Sequence, residues 1–262
     1  MQQFQGRMDV IGNNIANVNT TGFKGARVDF QDALSQTLGS AGGSPMQIGT
    51  GVGTSSITNQ FIQGAISQTG KVTDMAVSGD GFFVVRDAAS NAEYATRDGA
   101  FSLDTSGYLV NSAGMRVQGF SDAGLTTRGD IQIDNVGAPG GSTEKVKSFT
   151  VDKAGIVTVM LQDGITFTRG QVLLQKFQNP QALSKEGNNL YSGLATAGPL
   201  AQIEAPGTNG MGSLFTGALE MSNVDLANEF SSLITTQRAF QASARIITTS
   251  DEILQELVNL KR

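Results

Sequence analysis

The sequence predicts an α+β fold, in which a long helical coiled coil formed by the N- and C-termini joins a central antiparallel β domain of sandwich or barrel type. Three observations carry this. From Ser222 to Arg262 there is neither Pro nor Gly, and Leu226, Leu233, Phe240, Ile247 and Leu254 recur every seven residues, the period of a helix that wraps a partner. At the other end Phe4, Met8, Ile11, Ile15 and Val18 alternate steps of four and three, one stripe on a helix. Between them, short apolar runs are cut by Asp- and Gly-bearing turns.

The chain has 262 residues, enough for one large or two modest domains. It contains no Cys, His or Trp. Disulfides, thiolate metal sites and cysteine nucleophiles are excluded, and the commonest general base is missing. A net charge of −5 is a poor match for nucleic acid. No apolar run reaches the roughly eighteen residues of a membrane span. The start, Met1-Gln2-Gln3-Phe4, lacks the basic and apolar regions of a secretory signal peptide. A cytoplasmic location is the default expectation, unless export follows another route.

The first helix covers residues 1–18. Asn13, Asn14, Asn17 and Asn19 crowd its end and Thr20-Thr21-Gly22 stops it, because Asn side chains compete for backbone hydrogen bonds. A second, weaker amphipathic stretch follows (Phe23, Val28, Phe30, Leu34), then a Gly- and Ser-rich linker at 39–45. Residues 46–71 read as extended connector with brief strands. The expected organisation is a helical terminal domain of residues 1–30 and 215–262, a connector at 31–71, a β domain at 72–205 without a full second outer β domain, and a hinge at 206–214.

In the β domain, Leu103-Asp104 to Gly107-Tyr108 and Val151-Asp152 to Gly155-Ile156 repeat one hairpin pattern, and Asp163-Gly164 marks a third turn. Residues 120–146 have little periodicity and read as a surface loop or short insertion. In the last helix, Phe230, Ala244 and Val258 sit four residues after heptad positions, while Gln237 and Asp251 interrupt the second row. Ser222 and Asp225 mark its start, and Lys261 and Arg262 suit its negative end. Such a helix spans roughly 50 Å. Two amphipathic helices covering a globular core are the alternative to the coiled coil. Burying the heptad residues returns less than ordering both ends costs, so the ends are expected to fold as subunits assemble. Gln237 and Asp251, the polar interruptions of the seam, then belong at contacts between subunits.

Chemical motifs fail on inspection. Gly64 to Lys71 has the wrong spacing for a phosphate loop and Val72 in place of the hydroxyl. Gly49-Thr50-Gly51-Val52-Gly53 has Ser56 where a dinucleotide fingerprint needs Gly. Asp74, Asp80, Asp87, Asp98 and Asp104 fall at predicted turns. Asp122, Asp130 and Asp134 lack calcium-loop spacing. No catalytic residue, cofactor or metal site is expected, and the chain is not expected to be an enzyme.

Met8 to Lys24, with Asn13, Asn14, Asn17, Gly22 and Phe23, closely resembles the N-terminal signature of bacterial flagellar rod and hook proteins. Gly217 to Leu226, with Ser222 and Asn223, Thr236-Gln237-Arg238-Ala239-Phe240, and the ending Leu257 to Arg262 resemble the C-terminal signature. Ser78 to Phe83 and Thr96 to Phe101 resemble the first β-domain motifs. The resemblance spans nearly the whole chain. It implies a structural subunit, exported through the flagellar type III apparatus without a cleaved signal peptide, that forms a helical homopolymer. Its terminal helices line an export channel and the tube carries motor torque to the filament. Neighbouring rod, hook and junction proteins are the implied partners, with no nucleic acid or small-molecule substrate.

Within the family, the ending and Gly217–Leu226 resemble hook subunits most, and the linker after Leu38 looks shorter than in distal rod subunits. The first expectation is therefore the hook, on the cell exterior. The alternative is the distal rod of the basal body, spanning the periplasm, which the shortness of 120–146 resembles. In the family a further short apolar stretch precedes the first helix, which implies a late start at Met1 or a truncated chain. The expected assembly seam is Phe4, Met8, Ile11, Ile15, Val18, Leu226, Phe230, Leu233, Phe240, Ile247, Leu254 and Val258. A reading of another class is a soluble binding module dimerised by its helices.

Overall fold

The structure, a computed structural model, describes residues 2–41, 44–141, 143–199 and 203–260. It is α+β, with two α-helices and a large antiparallel sheet. Contacts divide it into two units: Met1–Val18, Lys24–Gln60 and Val224–Arg262 form the first, and Asn19–Phe23 with Phe61–Asn223 the second.

The first unit holds α1 (Gln2–Ala16) and α2 (Leu226–Leu260). Asp225 Oδ1 accepts from Ala227 N at 2.9 Å and Asn228 N at 3.3 Å, so Asp225 is the N-cap and Ser222 lies outside the helix. The 35 residues of α2 reach about 52 Å, as the heptads predict; Lys261 and Arg262 lie outside the described residues.

Residues 26–59 correct the sequence reading. The strand Ala26–Asp32 pairs antiparallel with Val52–Asn59, and Ser35–Ala41 with Ser44–Gly49. The pattern taken as weakly helical is a strand because Val28 and Phe30 alternate with Arg27, Asp29 and Gln31, a period of two. The supposed linker is thus a pair of strands, and the connector contains the brief strands read there, paired to other segments; residues 42–43 lie outside the described residues. Leu34, Ile48, Val52 and Ile57 remain exposed along them.

The second unit is built on a sheet whose main path runs Val146–Val151, Ile156–Leu161, Thr166–Val172, Arg116–Phe120, Phe82–Arg86, Glu93–Thr96, Leu190–Ser192, Ser184–Gly187. Its three predicted hairpin turns are present. Gly107 N donates to Asp104 O at 2.9 Å, Gly155 N to Asp152 O at 2.8 Å and Gly164 N to Leu161 O at 3.1 Å. All three glycines have positive φ, the conformation that glycine adopts without strain.

The main core gathers Phe83, Val85, Phe101, Val117, Val159 and Leu174. Ile131 and Ile133 belong to it, which corrects the reading of 120–146 as surface: Arg128–Asp130 pairs with Arg116–Phe120 and carries these two residues inward. Within the expected hinge at 206–214, residues 207–212 form a closed turn with Gly207 N on Gly212 O at 3.0 Å and Met211 N on Thr208 O at 2.7 Å. Ser213–Thr216 then pairs with Met75–Ser78, and Ala218–Glu220 with Ile66–Gln68.

The Asp122 turn gives a pH prediction. Its carboxylate accepts from Thr126 Oγ1 at 2.7 Å and from the Thr127 and Thr126 amides at 3.0 and 2.9 Å. These bonds hold its pKa down to about 2. A depressed folded pKa stabilises above the unfolded value of about 4, and that contribution disappears as pH falls through about 2. The Asp122 carboxyl carbon should titrate near pH 2 by NMR, and the Thr126 and Thr127 amide signals should move with it. A midpoint near 4 would contradict this.

Candidate assembly interface

Asn14 is the centre of the first unit. It is buried, and its Nδ2 donates to Ala26 O at 2.8 Å and to Glu229 Oε1 at 2.9 Å, while its Oδ1 accepts from Ala26 N at 3.0 Å. One amide side chain thereby pairs with the backbone of the first strand as another strand would, and also ties α1 to α2. Asn17 Nδ2 returns to Asn13 O at 2.9 Å and closes the last turn of α1. Phe4 meets Phe30 edge to face at 6.4 Å, and Arg7 lies 5.9 Å from the same ring.

Asn14, near the C-terminal end of α1, meets Glu229 in the first turn of α2, so the two helices run antiparallel. Fifteen residues of α1 extend about 22 Å and reach less than half of α2. Burial follows that reach. Glu229, Ser232, Leu233, Ala239, Phe240, Ser243 and Ala244 are half-buried and Thr236 is 3% exposed, whereas 245–260 is exposed throughout.

The covered face mixes small polar residues with Leu233, Phe240 and two alanines, and its hydroxyls satisfy themselves. Thr236 Oγ1 donates to Ser232 O at 2.7 Å and Ser243 Oγ to Ala239 O at 2.9 Å, bonds a helix can bury without a partner. The structure thus supports a helix pair and does not extend it to a coiled coil over five heptads. Ile11 is buried, while Phe4, Met8, Ile15 and Val18 are half-buried. Of the heptad residues, Leu233 and Phe240 are half-buried. Leu226, Phe230, Ile247, Leu254 and Val258 are 40–68% exposed. Gln237, Arg238 and Asp251 are exposed.

Four motif residues fall in the second unit. Gly22 has φ +66° and donates its amide to Glu220 O at 2.7 Å. A Cβ there would lie 2.5 Å from Asp98 N. Phe23 is buried beneath the Lys185 ammonium, 4.6 Å from its ring. Asn223 Nδ2 donates to Ile62 O at 3.1 Å, and Ser222 is half-buried. Gly22→Ala combines a left-handed backbone with a backbone overlap and should destabilise this unit by about 3 kcal/mol, measurable by urea unfolding. A loss under about 0.5 kcal/mol would be inconsistent with the overlap.

Sequence reasoning named Thr236 only within a family motif and gave neither it nor Glu229 a part in pairing the helices. The signal was present in the small residues Ser232, Thr236, Ala239 and Ser243 at steps of three and four, but an apolar search passes over it. The aspartates considered for chemistry are engaged structurally. Asp130 binds Arg86 at 2.7 Å, Arg116 at 3.1 Å and Gln118 at 2.6 Å, and Asp134 pairs with Arg169. No cluster of metal-binding side chains occurs among the described residues.

Three family profiles match this chain: "Flagella basal body rod protein" over residues 1–24, "Flagellar hook protein FlgE/F/G D1 domain" over 76–159, and "Flagellar basal body rod FlgEFG protein C-terminal" over 216–260. The chain is 42% identical over 270 residues to the flagellar basal-body rod protein FlgG of Bacillus subtilis, covering 100% of this chain and 96% of that protein. It is 36% identical to FlgG of Borreliella burgdorferi, covering 98% and 94%. It is 28% identical over 433 residues to the flagellar hook protein FlgE of the same organism, covering 100% and 97%.

Proposed function

The chain belongs to the family of flagellar rod and hook proteins, and on that premise we propose that it is a self-assembling subunit of the distal rod. The rod is preferred to the hook first expected. The rod relatives align end to end at nearly the length of this chain, whereas the hook relative aligns over 433 residues, many without a counterpart here. The short region 120–146 agrees with that preference.

The observation that carries assembly is α2 beyond Ala244. Ile246, Ile247, Ile253, Leu254, Leu257 and Val258 are all more than half exposed, on a segment α1 does not reach. An apolar stripe of that length marks a protein contact. Its occupant is α2 or α1 of a neighbouring copy, so that the helices build the wall of a tube around the export channel. The expected seam residues Leu226, Phe230, Ile247, Leu254 and Val258 serve contacts between copies, and Asn14 holds each subunit's own helix pair. Adjoining rod, hook and junction proteins are the partners at the tube ends, and the tube passes motor torque outward.

The test is position. Labelled protein in purified hook–basal bodies should lie in the rod, on the cell side of the hook. Label along the hook would restore the hook reading, and label in neither would overturn the assembly reading altogether.

A further inference from the structure

A cavity of about 250 Å³ opens in the second unit beside the Gly79–Asp80–Gly81 turn. Its apolar wall is made by Phe61, Phe82, Phe177 and Pro180. Phe61 and Phe177 both meet Phe82 edge to face, at 5.5 Å and interplanar angles of 73° and 64°. Its polar wall contains Arg97 and Lys176.

Arg97 is only 5% exposed. Its Nη2 donates to Gly79 O at 2.9 Å, its Nη1 to Glu220 Oε2 at 3.4 Å, and its guanidinium lies 5.0 Å from the Phe82 ring centroid. Its Nε is buried and has no acceptor among the described residues. A buried donor without an acceptor is costly, and this one belongs to a cation lining a cavity. Lys176 pairs with Asp80 at 2.8 Å, but Asp80 is 69% exposed, so that pair is readily exchanged. Burial lowers the Arg97 pKa from its ordinary value while Glu220 opposes the shift, and a further anion would oppose it too.

We propose that this cavity is a socket for a carboxylate carried on a short aromatic stem, with the Arg97 Nε–H and the Lys176 ammonium holding the carboxylate and the phenyl rings holding the stem. The volume is below the roughly 300–1,000 Å³ of pockets for drug-sized ligands, so the occupant has the size of one large side chain. Aromatic rings prefer edge-to-face and offset packing, which the three phenyl walls provide. No side chain carries both a ring and a carboxylate, so the occupant is a free aryl acid. The proposal concerns the folded second unit and does not depend on where the subunit assembles.

The probe is 3-phenylpropionate, titrated into the full-length chain carrying ¹⁵N-arginine, with the Arg97 Nε–Hε signal followed by NMR. The expected result is a saturable shift, at least about tenfold weaker for the uncharged 3-phenylpropanol, the weight of one charge-assisted hydrogen bond. Lys176→Met, at a half-exposed position, should weaken it by a similar factor with the circular dichroism unchanged. Arg97→Lys keeps the charge opposite Glu220 but loses the planar fork; followed by isothermal titration calorimetry, since the arginine signal is gone, it should bind the acid no better than the alcohol. If the acid and the alcohol bind equally, or neither shifts the signal saturably, the proposal is wrong.

Discussion

Replacing Asn14 by Ala should detach α1 from both of its neighbours. Three hydrogen bonds disappear together, two to the Ala26 backbone and one to Glu229. The loss exceeds the sum of three ordinary bonds removed in water, because the Ala26 amide and carbonyl keep their places and lose their partner. A net bond contributes about 0.5–1.5 kcal/mol, and an unsatisfied buried group costs about 1–3. The expected destabilisation of the first unit is about 3 kcal/mol. Hydrogen exchange should report it as a roughly hundredfold acceleration in α1 and Ala26–Asp32, with the sheet of the second unit unchanged. Asn14→Asp should be at least as damaging at neutral pH, since it loses both donations and sets a carboxylate against Glu229. Unaltered exchange in α1 would show that packing alone holds the helix.

Leu254→Asp should have the opposite profile. The side chain is 60% exposed, so monomer stability should change by no more than about 0.5 kcal/mol. In a tube, the same carboxylate would enter an apolar contact repeated in every subunit. An unpaired buried charge costs several kcal/mol, which should raise the concentration needed for assembly by at least about a hundredfold. Sedimentation and electron microscopy should find no tubes where the parent chain forms them, while circular dichroism is the same for both. Tubes formed at the parent's concentration would remove this stripe from the interface.

These two variants separate what was legible in the sequence from what was not. Both helices, the three Asp–Gly hairpins and the β character of the middle were legible, because each rests on local periodicity or on a backbone conformation that glycine adopts freely. The partner of each helical face was not. A heptad of Leu, Phe and Ile states that a face seeks cover, and it is silent on which surface supplies it. The face of α2 that α1 covers is built on Thr236 and Ser232, which hydropathy counts as surface. Asn14 was noticed through a family motif, yet its role depends on Ala26 and Glu229, the second of which is 215 residues away. Residues 26–32 were misread because four apolar residues in twelve fit a helix loosely, while Val28 and Phe30 alone fit a strand well. Ile131 and Ile133 were passed over because glycines and aspartates around them dominate the local composition.

The division of the chain has a consequence for timing. The sheet unit is complete at Asn223, whereas the helical unit requires Val224–Arg262 as well as residues before Gln60. Synthesis at about 5–20 residues per second places a wait on the order of ten seconds between α1 and the arrival of its partner. Only the end of that interval, about 2–8 s for Val224–Arg262 at the same rate, follows completion of the β unit. In the proposed assembly, the surface that joins copies is therefore the last part of the chain to be made.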